Sequence, residues 1–456
     1  MRKRCILLFS LLFCTPLLAG AADPESLAAT YRLAHDADPV FRAAAAAHRA
    51  ALEARPQALA GLLPTIGLKG DYSRNRYDNR NPQQGKANPT YSTNQSYSLA
   101  LSQPLFHWDR WVQLRQADSR IRQAEARFSA AEQDLILRVA QRYFDVLAAQ
   151  DNLDFARAEK TAIARQREQA QQRFDVGLIA ITDVREARAR YDLAVTQEIQ
   201  AQDRLDSARE ALREIIGRMP EALVPLQGSV PLVRPDPADV DAWVRAAMKG
   251  NLALRAAQAA LDSARQEVKR QRAGHYPTLD LTASYSYLDN NFGGVFPLER
   301  NDASIGVELN LPLFTGGLTS SRVREALAKY QQALEELQRQ RRAVVRQTRD
   351  AYRGVNTQIR QVKALEQALK STETALEAAK AGFDVGTRTI VDVLDAQREW
   401  HRSRRDLARA RYDYILNSLR LKQAAGTLAP ADIERVSHWL GTRTATGRAK
   451  TAARRG

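Results

Sequence analysis

Phe174-Asp175-Val176-Gly177-Leu178-Ile179-Ala180-Ile181-Thr182-Asp183-Val184 is written a second time, 209 positions later, as Phe383-Asp384-Val385-Gly386-Thr387-Arg388-Thr389-Ile390-Val391-Asp392-Val393. The same offset carries Tyr143 onto Tyr352 and Gly217 onto Gly426, so the duplication reaches well beyond the motif. Pro104-Leu105-Phe106 recurs as Pro312-Leu313-Phe314 with an offset of 208, and Pro64-Thr65 as Pro277-Thr278 with 213. Each copy therefore has a core of fixed length, with the length differences ahead of it. A repeat of this size is one supersecondary unit used twice.

The core of each copy reads as helix. Leu114, Ala117, Ile121, Ala124, Phe128, Ala131 and Leu135 step by three and four, and their counterparts Val323, Ala326, Tyr330, Ala333, Leu337, Gln340 and Val344 keep the register. That is the a/d rhythm of a coiled coil. No proline interrupts residues 108–217 or 315–426. A helix from 108 to 174 would be about 100 Å long at 1.5 Å per residue. Gly177 and Gly386 follow the long helices and tolerate the left-handed conformation that stops them. Each copy is thus a helical hairpin with a glycine at its tip. The heptads alone are also compatible with a plain rod or spacer.

Ahead of each hairpin the period changes to two. Leu279, Leu281, Ala283, Tyr285 and Tyr287 alternate with Asp280, Thr282, Ser284 and Ser286; Ala303, Ile305, Val307, Leu309, Leu311 and Leu313 do the same. In the first copy Tyr97, Leu99, Leu101 and Leu105 alternate, with Ile66, Leu68 and Tyr72 as a weaker partner. These are strands of about 9 to 12 residues, the length that crosses a bilayer at a tilt. Segments 74–90 and 288–302, rich in Asn, Pro, Gly and Gln, read as exposed loops. Two soluble hairpins packed on a core would alternate in the same way.

Arg2, Lys3 and Arg4, an apolar run from Ile6 to Leu18, and Ala19 and Ala21 form a secretory signal peptide over residues 1–21. Both cysteines, Cys5 and Cys14, lie within it, so the mature chain holds no thiol. Past the signal no apolar run of about 20 residues exists to span a bilayer as helix. The other route across is a closed β-barrel. One chain supplies four strands where barrels begin at about eight, so the barrel is shared among subunits.

The balance of 68 basic against 52 acidic side chains, +16 overall, would suit nucleic acid in a cytosolic protein. Export, charges spread along helical stretches, and no finger, RNP or basic-zipper pattern exclude that partner. The six histidines are scattered without metal-ligand spacing, and there is no phosphate loop or nucleophile elbow. The reading is of a chain without catalytic residues, cofactor or dedicated metal site.

The organisation that follows is a signal at 1–21, a first repeat at 22–217 with a β-hairpin at about 65–106 and a helical hairpin at about 108–217, and a proline-rich connector at 218–240. A second repeat occupies 241–433, with a β-hairpin at about 278–314 and a helical hairpin at about 315–426, and a basic disordered tail follows at 434–456.

The segment Val385-Gly386-Thr387-Arg388-Thr389-Ile390-Val391-Asp392-Val393-Leu394-Asp395-Ala396 resembles the second-repeat tip of the TolC family of outer membrane factors, or outer membrane efflux proteins. Val176 to Val184 resembles the first-repeat tip, and the likeness runs from about Leu27 to Ile433. The resemblance implies an α+β membrane protein: a homotrimer whose four strands per chain make a twelve-stranded transmembrane β-barrel, continued by a long α-helical coiled-coil tunnel in the periplasm. It implies an exit duct in the outer membrane of a Gram-negative bacterium, passive and set in outer-membrane lipid. The duct would serve a tripartite efflux pump or type I secretion system. Its partners would be a periplasmic adaptor and an inner-membrane RND, ABC or MFS transporter. A structural coiled-coil spacer or surface adhesin is the alternative from another class.

By the same resemblance Asp392 and Asp395 match the aperture ring of carboxylates, where a cation could bind. Positions three apart share a helix face. Arg388, Thr182, Asp183 and Gln166 match the polar links that close the tip. Phe383 departs from the pattern by standing for a tyrosine of that lock, and Lys380 by standing for an acidic residue that pairs with the Gln166 position.

Overall fold

The computed structural model describes residues 25–77, 90–226, 230–292 and 296–441. The expected signal peptide with its two cysteines, most of the first strand–strand loop and residues 442–456 lie outside that range. In chain order the elements of the first copy are α1 (Leu27–Ala37), α2 (Pro39–Leu52), α3 (Ala54–Ala60), β1 (Thr65–Tyr77), β2 (Thr90–Phe106), α4 (Trp108–Asp175) and α5 (Ile181–Ile216). The second copy follows as α6 (Val240–Gly250), α7 (Leu252–Arg272), β3 (Thr278–Phe292), β4 (Phe296–Asn310), α8 (Leu318–Asp384), α9 (Ile390–Ala425) and α10 (Pro430–Ser437).

The four strands form one antiparallel sheet in the order β1-β2-β3-β4, so its central pair joins the two copies. Residues directly opposite one another share a face. Leu68, Leu99, Tyr285 and Ala303 lie in one row across the sheet, and Ile66, Leu101, Ala283 and Ile305 in the next. The opposite face carries Lys69, Ser98, Ser286 and Asp302, then Gly67, Ala100, Ser284 and Ser304. Through these rows one face is apolar and the other polar across all four strands, and the apolar face turns polar further on, at Gln95, Asp289 and Glu299. The apolar face is bare within the chain: Leu68 is 77% and Ile305 78% exposed.

The strands, of 13 to 17 residues, outrun the expected 9 to 12. Most of the expected loop at 288–302 is ladder, because backbone pairing continues past the residues that alternate apolar with polar. Leu311 and Leu313 lie beyond β4, which stops at Asn310; Pro312, lacking an N–H, cannot extend the ladder. Pro104 coincides with a register shift in β2, another consequence of its missing donor.

Helices α4 and α8, of 68 and 67 residues, run about 100 Å each. Near the sheet α4 packs on α2, α3 and α7, and α7 on α8; toward the tips α4 packs on α5 and α9, and α9 on α8. The wall is therefore about four helices across throughout, matching the four strands. Along α8 the expected seam holds, with Ala326, Leu337 and Val344 buried. Along α4 the heptad seam is mostly half-buried. A neighbouring stripe, Val112, Ser119, Ala126, Gln133, Ala140 and Leu147, is deeper, because α4 packs on more than one face.

Midway, α4, α9 and the connector meet in the largest apolar core, around Tyr143, Phe144, Tyr412 and Ile415. The buried Tyr143 hydroxyl donates to the carbonyls of Val224 at 2.8 Å and Glu25 at 3.1 Å. Burial raises the Tyr143 phenol well above its ordinary range. The expectation of a disordered tail from residue 434 does not hold for its first residues. Residues 430–437 are helical, and Ile433, Val436 and Leu440, spaced three and four apart, are buried, with Leu440 bridged to Leu226.

Candidate functional site

The two helical hairpins turn in the same way at the tip end. Gly177 at φ +77° donates its N–H to Phe174 O at 2.8 Å, and Gly386 at φ +78° donates to Phe383 O at 3.1 Å. Leu178 and Thr387 then close back onto Arg173 O and Gly382 O, each at 2.8 Å. Such turns satisfy the carbonyls a helix end leaves open. The structure thus places both predicted glycines at the two tips.

Asp392 is the third residue of α9 and forms a capping box with Thr389. The Thr389 N–H and hydroxyl donate to Asp392 Oδ2 at 2.8 and 2.7 Å, and the Asp392 N–H donates back to Thr389 Oγ1 at 3.3 Å. The Thr389 hydroxyl, then its N–H, hold the Asp392 carboxyl below the usual carboxylate range, and Arg388 adds to this. Asp392 is exposed and ionised at neutral pH. Asp395, one turn on, is engaged instead. Its Oδ1, shielded from solvent, lies 3.2 Å from Arg190 Nη1 on α5 and 3.3 Å from Arg398 Nη2 on α9, without hydrogen-bond alignment to either.

Three further contacts tie the first hairpin to the second. Gln166 Nε2 on α4 donates to Gln397 Oε1 on α9 at 3.1 Å. Arg173 on α4 lies over the Phe383 ring on α8 at 4.4 Å, a cation–π contact. Ile163, Ala194, Ile390 and Leu394 form a small apolar seam beside these groups, flanked by Tyr191 and Phe383.

Of the predicted links, only Gln166 reaches the other hairpin within the chain. The Arg388 side chain packs against Gly382, and its N–H donates to Gly382 O at 3.1 Å. Thr182 and Asp183 lie in the first turn of α5, and no side-chain bond joins them to Arg388 among the described residues. Lys380 is exposed. Sequence reasoning missed Arg190, Arg173 and Gln397. Arg190 could have been found: it follows Asp183 by seven residues, two turns along the same face.

Higher on the α4–α9 seam sit two buried titratable groups. Burial, then Arg404 and Arg405, push His401 down to about 4, and its Nδ1 has no partner. Burial raises the Glu159 carboxyl above its ordinary value, against the pull of Arg405 and Arg398. Among the described residues no group of His, Cys, Asp and Glu could hold a metal, and no helix is long and apolar enough to cross a membrane. The contacts between the hairpins at the tip combine an ion pair, an amide pair, a cation–π contact and a small apolar seam.

The model of the outer membrane efflux protein family matches residues 30–218 and 243–427, one span in each repeat. The outer membrane protein TolC of Vibrio cholerae is 42% identical, over 93% of this chain and 95% of its own length. The alkaline protease secretion protein AprF of Pseudomonas aeruginosa is 32% identical, over 89% and 85%. Among solved structures the CmeC outer membrane channel of Campylobacter jejuni superposes with a TM-score of 0.75 at 18% identity, covering 91% of this chain and 90% of that one. That likeness bears on the fold.

Proposed function

Because the chain belongs to the outer membrane efflux protein family, and is an outer-membrane exit duct rather than an enzyme, we propose that it works as a homotrimer closed at its helical tips. The carrying observation is the two-faced sheet with unpaired edges. β1 and β4 each leave one row of backbone donors and acceptors unmatched within the chain, while one face carries an apolar band across all four strands. In lipid an open edge costs several kcal/mol per unpaired group, about 2–7 on transfer scales. Sister copies remove that cost by pairing β4 to β1 around a closed ring. Two copies would give eight strands, an interior filled by side chains; three give twelve and leave a lumen lined by the polar face. The helical wall, four across in each chain, then closes into a tunnel below the barrel.

In efflux and secretion the duct serves an inner-membrane transporter through a periplasmic adaptor, and we assign that transporter to the RND, ABC or MFS classes. The tip is the gate. Gln166 and Gln397 link the hairpins within a chain, Thr182, Asp183 and Arg388 face neighbouring copies, and Asp392 and Asp395 come together around the axis, where cations collect. The test is ion conductance by the purified protein in a planar bilayer, with its mass measured in detergent. A trimer passing current supports the duct; a monomer that passes none overturns it, and with it would leave a rod-like spacer.

A further inference from the structure

The Arg190–Asp395 pair joins opposite charges on different hairpins at the tip. Asp395 faces two guanidinium groups, and they differ in one respect. Arg398 is three residues along α9 and moves with Asp395 wherever that hairpin goes. Arg190 is on α5 and does not. Half of the positive charge beside Asp395 is therefore conditional on the hairpins lying together. Arg190 is prepared for that contact: Glu186, one turn back, sits 3.7 Å from its Nη2, and its side chain is only 25% exposed. The apolar seam of Ala194, Ile390 and Leu394 alongside keeps water away from one flank of the pair, which strengthens it.

We propose that Arg190 is a gating and selectivity residue of the duct, an inference that rests on the gated-duct reading. While the tip is shut, Arg190 clasps Asp395, holds the α8–α9 hairpin against α4–α5 and masks one of the two aperture carboxylates. Asp392, capped by Thr389, is then the uncovered anion of each copy. When the hairpins part, Arg190 stays behind and Asp395 joins Asp392 at the mouth. Opening thus widens the passage and makes it more negative in one movement.

The experiment measures open probability and reversal potential under a KCl gradient, in planar bilayers, for the full-length protein and its variants. Arg190→Gln is expected to open about thirtyfold more often, from about threefold per exposed pair compounded over three copies that move together, and to shift toward cations. Asp395→Asn is expected to open more as well, but to shift away from cations. The exchange Arg190→Asp with Asp395→Arg is expected to return opening to near the parent level. High salt should narrow the difference between parent and Arg190→Gln. Opposite selectivity shifts are the signature that a merely structural role would not give. Parent-like opening and reversal potential in Arg190→Gln, or a shift of the same sign in both single variants, overturns the clasp while leaving a conducting duct intact. Absence of current from the assembled parent overturns both. Mass measurement of each trimer accompanies the recordings, and if Arg190→Gln does not assemble, Asp395→Asn and the exchange carry the same readings.

Discussion

Gly426, at the end of α9, faces the carbonyl oxygen of Gly250, at the end of α6, so closely that a methyl group on its α-carbon would overlap that oxygen. Its φ is +74°, in the region that L side chains avoid. Gly386 has a similar φ of +78° but nothing within 4 Å of where a Cβ would stand. Replacement by alanine therefore separates two costs. Gly386→Ala should lose about 1 kcal/mol for the backbone alone, and Gly426→Ala about 3 kcal/mol once overlap is added. Heat-dissociation midpoints of the two variants test the ranking, and equal losses would contradict it.

Tyr143→Phe should destabilise the waist of the molecule by about 1–3 kcal/mol, because the Val224 carbonyl loses the hydroxyl that donates to it, while the Glu25 carbonyl keeps the Val224 N–H. Protease cleavage within 218–240 should rise in parallel, since the hydroxyl pins that connector to α4. A variant as resistant as the parent would show that water replaces the hydroxyl without cost.

At the tip, Phe383→Ala and Arg173→Gln should each raise leak through the closed duct by loss of a contact of about 0.5–1 kcal/mol per chain. Phe383→Tyr keeps a ring under the guanidinium and should conduct like the parent. Leak in the tyrosine variant equal to that in the alanine variant would remove the cation–π contact from the closure.

Acid should loosen the α4–α9 seam through His401. Its folded value of about 4 lies below the ordinary 6.5, so the unfolded chain binds the proton more readily. Stability is then full above pH 6.5, is lost as pH falls toward 4, and changes no further below it. The shift corresponds to about 3 kcal/mol per chain at most. Glu159 acts the other way, since its raised carboxyl is relieved by protonation. His401→Gln should flatten the dependence in that window, measured as unfolding midpoint against pH; an unchanged slope would assign the loss elsewhere.

Much of this architecture is legible in the residues. The repeat, the two tip glycines and the change of period from 3.5 to 2 give hairpins of helix and strand in their observed order. Strand ends are less legible, because Asp289, Asn290 and Asn291 look like loop yet continue the backbone ladder. The tail at 434 was read by its charge, while the three apolar residues Ile433, Val436 and Leu440 dock it. At the tip, motif matching located Asp392, Asp395 and Gln166, but not Arg190. A long side chain reaching between hairpins leaves no periodic trace, and its partner is more than two hundred positions away.

The pairing of β2 with β3 carries an implication for biogenesis. Phe106 meets Leu279, so the strand from the first copy waits for one made only after α4, α5 and the connector have been exported. Closing so long a loop is entropically slow. In the meantime β2 is paired only to β1 and presents its other edge, with a half-apolar face, to an aqueous compartment, a state prone to aggregate. That open edge is what a periplasmic holding factor would have to cover until its mate arrives.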